Sequence, residues 1–264
     1  MTLKFCSIAS GSSGNCYLVK TENSAILIDA GISGKRIFAA LEETGTPLDM
    51  VRAVIVTHEH IDHVRSLPIL SRKIPGVKIY ANEGTWRAIE RPVDGDKRET
   101  FITGETFSID DLIIKPFAVS HDAADPVGFS IYGENRKISF CTDSGYITDE
   151  MFEEIHDANL LLIEANHEKE LLLVSGYPYS LKQRILGDMG HLSNVTTGEW
   201  IARIVNHRPM SRRVLLGHLS KENNTPEMAF LTIRNTLEEN GIYVGEKLKI
   251  EVALRDVRSH VFEV

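Results

Sequence analysis

The stretch Thr57-His58-Glu59-His60-Ile61-Asp62-His63 follows directly on the apolar run Ala53-Val54-Ile55-Val56. Four apolar, mostly β-branched residues in succession read as a buried strand, so the polar cluster is presented where a strand of an α/β protein ends. His58, His60, Asp62 and His63 place three imidazoles and a carboxylate within six residues. A solvated loop requires no particular residue type at those positions. Neutral imidazole nitrogen and carboxylate oxygen are, however, the ordinary ligands of zinc and similar divalent ions. His58 and His60, two apart on an extended segment, can point together, while Asp62 and His63 at the start of a helix can aim at a second ion.

Working outward, Leu3 to Ala9, Cys16 to Lys20 and Ala25 to Asp29 read as strands separated by Gly, Ser and Asn turn chemistry. Ser33 caps a short helix with Ile37 and Leu41 on one face and Gly45 beyond its end. Val77 to Ala81, Ile113 to Val119, Val127 to Tyr132, Lys137 to Cys141, Leu160 to Ile163 and Val214 to Leu216 are further strands. Thr148, Ser193 and Thr225, the last followed by Pro226, mark helix starts. No composition break or repeat divides the chain, and the expectation is one α/β domain over residues 1–264.

Composition narrows the function. The 264 residues carry 29 Lys+Arg against 37 Asp+Glu, a formal charge of −8, which excludes a generally basic nucleic-acid binder but not a local basic groove. No apolar run is long enough to span a bilayer, and the start has no signal-peptide pattern; a cytoplasmic location without a membrane partner is expected. Cys6, Cys16 and Cys141 are scattered and support neither disulfides nor a cysteine zinc knuckle.

One segment cannot close a two-metal site. Three further candidates follow apolar strands: His121, Asp143 in Cys141-Thr142-Asp143-Ser144-Gly145, and His218 in Gly217-His218-Leu219-Ser220. Side chains just past strand ends are where α/β proteins present active sites.

In these motifs and their order, the chain resembles the metallo-β-lactamase superfamily. His58, His60, Asp62 and His63 match its His-x-His-x-Asp-His signature, and Leu27-Ile28-Asp29-Ala30-Gly31, His121, Asp143 and His218 follow in the expected places. The resemblance implies a four-layer αββα sandwich with two divalent metal ions, zinc being expected and manganese or iron the alternatives. His58, His60 and His121 would hold one, Asp62, His63 and His218 the other, and Asp143 would bridge them. Leu162-Ile163-Glu164-Ala165 and Gly190-His191-Leu192-Ser193-Asn194 look like the nuclease branch that includes ribonuclease Z. Ala9 to Asn15, His121 to Gly128 and His218 to Asn224 look closer still to the bacterial YycJ/WalJ group. The 54 positions from Glu164 to His218 leave no room for the large insert of ribonuclease J relatives, and no tRNA-gripping arm is evident.

The expected activity is phosphodiester hydrolysis by a metal-bridging hydroxide, in a DNA exonuclease acting from the 5′ end, with DNA favoured over RNA. Asp62, Glu164 and His191 are the expected catalytic residues. Asp62 would orient the attacking water, and Glu164 would charge His191 for proton donation to the leaving oxygen. The alternatives are a hydrolase of a small cyclic phosphodiester or thioester, and a metal-stabilised binding module without turnover. Oligomeric state is not readable.

Asp29 reads as support for the site rather than a ligand. His167 stays open, with a surface or helix-cap role favoured. Gly11 to Asn15 could offer backbone N–H groups to a phosphate but more often is a hairpin turn. Lys182, Arg184, Arg208, Arg212 and Arg213 are candidates for tracking a polyanion. Tyr177 and Tyr179 could stack on a base, with packing as the default.

Overall fold

A computed structural model describes residues 2–264. The chain divides into two compact units, one comprising the chain up to residue 118 with 123–136 and 254–264, the other residues 119–122 and 137–253.

The first unit contains β1 (Lys4–Ala9), β2 (Cys16–Lys20), β3 (Ala25–Ile28), α1 (Gly34–Glu43), β4 (Val51–Ile55), α2 (Ile61–Val64), α3 (Leu67–Lys73), β5 (Lys78–Ala81), α4 (Glu83–Ala88), β6 (Arg98–Thr100), β7 (Phe107–Ile109), β8 (Leu112–Ala118) and β9 (Val127–Tyr132), and it takes back the terminal strand Phe262–Glu263. That terminal strand pairs with β1, and the sheet continues through β2, β3, β4 and β5 to β6. The pairs β1–β2 and β2–β3 are antiparallel, and from β3 to β6 the pairing is parallel. Parallel strands covered on both faces need apolar side chains throughout. All four residues of β3 are accordingly buried. The side of the sheet bearing Leu18, Leu27, Val54 and Ile79 packs with Ile37 and Leu41 of α1 and Leu67 and Leu70 of α3 in one core cluster. Full burial of each such Leu or Ile contributes about 1.5–3 kcal/mol. A separate antiparallel ladder joins β7, β8 and β9.

The second unit runs β10 (Lys137–Cys141), α5 (Asp149–Ile155), β11 (Leu160–Glu164), α6 (Lys169–Val174), α7 (Tyr179–Leu186), α8 (Asn194–His207), β12 (Arg212–Gly217), α9 (Pro226–Glu239) and β13 (Leu248–Val252). Its four strands pair in chain order, all parallel. Each parallel connection needs a crossover, supplied by α5, by α6 to α8, and by α9. The expected caps are present: the side chains of Thr148, Ser193 and Thr225 accept from the N–H groups of Met151, Thr196 and Met228.

Backbone conformation at the strand ends singles out particular residues. Asp29, Asp143 and His218 have φ of 59°, 57° and 55°, a left-handed conformation that non-glycine residues avoid and that concentrates at functional sites. It also ends β3 at Ile28, one residue before the expected Asp29. Close approach explains one glycine nearby. The Asn15 N–H donates to the Asp62 carbonyl at 2.8 Å, and a Cβ on Gly31 would lie 1.4 Å from that carbonyl oxygen. Gly31→Ala must therefore push out the backbone that carries Asp62 and His63. A loss of about 3 kcal/mol or more is expected, to be measured by denaturant unfolding; a change under about 1 kcal/mol would show that the loop yields freely.

Candidate active site

In the first unit the end of β4 leads through Thr57 into the histidine cluster, and His60 stands just before α2. His58 Nε2 and His60 Nδ1 converge to 3.1 Å. His63, with no exposed surface, has its Nε2 3.5 Å from Asp62 Oδ2. Buried Asp29 governs the other side of that ring, accepting from His63 Nδ1 at 2.8 Å and from the N–H and hydroxyl of Thr57. Burial pushes the Asp29 carboxyl up, against the opposing pull of His63 and Thr57. A carboxylate on Nδ1 fixes the tautomer and leaves Nε2 as the coordinating nitrogen. Asp29 is thus a support for His63, as its position past an apolar strand suggested. Asn15, expected only as part of the Gly11 to Asn15 turn, donates from its side-chain Nδ2 to His63 Nε2 at 3.1 Å and accepts from Gly11 N through Oδ1. With Gly14 N bonded to Gly11 O, the glycine-rich loop is a self-bonded turn that braces His63. A cavity of about 510 Å³ opens beside His60, lined also by Glu59, Ile61, Val64 and Arg91.

In the second unit, Asp143, Glu164 and His218 stand at the C-terminal ends of β10, β11 and β12, and His191 lies just before α8. One nitrogen or oxygen of each lies within 4.8 Å of the others. Glu164 is completely buried. Its Oε1 accepts from His191 Nδ1 at 2.8 Å and from His218 Nδ1 at 2.7 Å, while Oε2 accepts the N–H groups of Ser144 and Leu192. Burial acts to raise this carboxyl, but the charge and hydrogen bonds of His191 and His218 outweigh it and hold the group well below the usual carboxylate range. His218 Nε2 is 3.3 Å from Asp143 Oδ1, and His121 Nε2 is 3.9 Å from the same oxygen. Burial pushes the His121 imidazole down, towards the neutral form that a metal ion requires. The donor set in each unit, imidazole nitrogen with carboxylate oxygen, suits zinc, manganese or iron.

His167 differs from expectation. It is 1% exposed, its ring nitrogens make no hydrogen bond to the described residues, and burial lowers it to about 4. The surface or helix-cap reading is therefore incorrect: a parallel bridge to Ser193 draws the segment after β11 inward.

Most of the candidate basic residues are engaged elsewhere. Lys182 donates to the carbonyls of Leu173 and Ser175 at 2.7 Å each, capping the end of α6. Arg212 is buried and bonds the carbonyls of His156 and Arg208, and Arg213 pairs with Glu251. Arg184 is half exposed and makes a two-pronged pair with Asp122, next in sequence to His121. Tyr179 is 77% exposed, so packing does not account for it.

A family profile described as a beta-lactamase superfamily domain matches residues 24–219. The chain belongs to the metallo-β-lactamase superfamily. It is 38% identical over 266 residues to the exodeoxyribonuclease WalJ of Streptococcus pneumoniae, covering 99% of this chain and 98% of that protein. It is 38% identical over 253 residues to the exodeoxyribonuclease YycJ of Bacillus anthracis, covering 95% of each. The metallo-β-lactamase fold protein YhfI of Bacillus subtilis superposes with a TM-score of 0.75 at 16% identity, covering 100% of both chains. The fold class is thus the αββα sandwich expected from the motifs. Among the described residues no helix is long and apolar enough to cross a membrane.

Asp29→Asn would replace the acceptor for His63 Nδ1 by a weaker, neutral one. The expected result is metal affinity reduced about 10–100-fold, read by competition with a chromophoric chelator. Unchanged affinity would mean that His63 needs no support from Asp29.

Proposed function

We propose that this protein is a metal-dependent phosphodiesterase, a DNA exonuclease acting from the 5′ end. The observation that carries the reading is the pairing of buried Glu164 with His191 beside Asp143 and His218. It unites a proton donor with ligand chemistry at the ends of parallel strands, and the full-length likeness to two proteins named exodeoxyribonucleases supports the substrate class.

The residues that would hold two divalent ions are His58, His60 and His121 for one, Asp62, His63 and His218 for the other, and Asp143 for both; zinc is the metal proposed. Bound there, such ions offset charge on the transferring phosphoryl group and lower the pKa of a water to about 7. Asp62, 19% exposed and next to the buried His63, orients the attacking water. His191 is 14% exposed and its Nδ1 is tied to Glu164, which leaves Nε2 as the nitrogen to donate a proton to the leaving oxygen of the diester. The Glu164 carboxylate accepts from His191 Nδ1 at 2.8 Å and so fixes the orientation of the ring. Arg184, half exposed and paired with Asp122, and the exposed Arg208 are the basic side chains proposed for the polyanionic strand. DNA rather than RNA and a cytoplasmic setting complete the proposal.

End-labelled DNA and RNA, bis(p-nitrophenyl) phosphate and a glutathione thioester, offered in parallel to the metal-loaded protein, test the activity. Progressive shortening of DNA from its 5′ end, abolished by chelation and restored by zinc, is expected; turnover of the small diester or thioester alone would reject it. For His191→Ala, kcat on DNA should fall by about 10²–10⁴. The fall should be much smaller on bis(p-nitrophenyl) phosphate, whose leaving group departs without a proton. Equal losses on both substrates would contradict the acid role.

A further inference from the structure

Two exposed apolar side chains stand on loops bonded to the Glu164 cluster. Tyr146 is 44% exposed and Met189 50%, and each lies close in sequence to a residue of the cluster, Asp143 and His191 respectively. The loops that carry them are fixed to each other and to the cluster. Ser144 N donates to Glu164 Oε2 at 3.0 Å, and Ser144 Oγ donates to the Tyr146 carbonyl at 2.6 Å. Gly145 N donates to the Ser120 carbonyl at 3.0 Å. Ser120 Oγ in turn donates to the Asp188 carbonyl at 2.7 Å and lies 3.4 Å from Met189 Sδ. The two loops touch so closely at Gly145 that a Cβ there would sit 2.3 Å from the Asp188 oxygen. Scattered exposed apolar residues need no explanation, but the loops that carry these two are bonded to each other and to Glu164.

The same rim carries a cation. His191 N donates to the Ile185 carbonyl at 3.0 Å, which ties His191 to the last turn of α7, where Arg184 stands half exposed against Asp122. A flat aromatic ring, a polarisable thioether and an exposed guanidinium together match one occupant, a nucleotide whose base is out of the duplex. The base offers an apolar face for stacking, and its phosphate pairs with the guanidinium. A base held within a duplex has its faces covered by neighbours and presents neither to a protein side chain.

We propose that Tyr146 and Met189 form a platform on which the base of the terminal nucleotide stacks, so that this nucleotide is taken unpaired, with Arg184 on its phosphate. The proposal rests on the nuclease reading and adds to it the state of the substrate end.

Its test is equilibrium binding by the metal-loaded protein, with phosphorothioate linkages in the oligonucleotides to prevent hydrolysis. Fluorescence anisotropy compares an oligonucleotide with an intact 5′-terminal nucleotide against one lacking that base, for the native protein, Tyr146→Ala/Met189→Ala and Tyr146→Trp. The native protein should bind the intact end about tenfold more tightly. The double variant should bind both ends alike, and Tyr146→Trp should keep the preference. An unchanged thermal midpoint verifies folding, and Tyr146→Ser alone, at an exposed position, replaces the double variant if that one unfolds. A full preference retained without the platform, or none in the native protein while it still binds DNA, overturns the proposal. No DNA binding at all by the native protein would instead reject the nuclease reading, and the platform with it.

Discussion

The chemistry of the second unit hangs on one oxygen. Oε1 of Glu164, in a side chain with no exposed surface, accepts from the Nδ1 of both His191 and His218. A carboxylate in such a place costs several kcal/mol in lost hydration unless fully paired, and here Oε2 is also satisfied, by the N–H groups of Ser144 and Leu192. The arrangement links two functions through one group. If either ring moved, Oε1 would lose a charge-assisted hydrogen bond, so the geometry of the proton donor and that of the ligand histidine are set together. The first unit repeats the device with Asp29, which fixes His63 through Nδ1 and Thr57 through its N–H and hydroxyl.

Backbone placement reinforces these pairs. Asp29, Asp143 and His218 each follow a buried strand and each adopt a left-handed φ. The extended backbone cannot continue through such a residue, and the side chain turns out of the sheet at the strand end. The conformation costs of the order of 1 kcal/mol or more for a non-glycine residue; the surrounding hydrogen bonds hold it, including Asp29 N to Ile55 O at 2.9 Å and Ala165 N to Gly217 O at 2.9 Å.

Much of this was legible in the sequence, for identifiable reasons. Buried parallel strands leave uninterrupted apolar runs, so the ends of β4, β10, β11 and β12 could be located within a few residues, and the side chains beyond them picked out. N-caps are local signals, and Ser33, Thr148, Ser193 and Thr225 all cap as expected. What escaped depends on contacts between distant segments. The brace from Asn15 to His63 spans 48 positions and the bond from His218 to Glu164 spans 54; neither has a periodicity to betray it. Lys182 looked like a phosphate contact because composition shows its charge but not the carbonyls at the end of α6 that consume it. His167 looked like a surface residue because the bridge to Ser193 that buries it joins strand-end segments with no apolar pattern of their own.

The most direct test of the Glu164 arrangement is the long-range ¹H–¹⁵N spectrum of protein labelled at the histidine ring nitrogens, which reports the tautomer of each imidazole. A carboxylate oxygen can only accept, so His191 and His218 must both carry a proton on Nδ1. That pattern is expected for the two rings, and its loss from both in Glu164→Leu. A native spectrum with either ring lacking the Nδ1 proton, or one unchanged by the substitution, would contradict it.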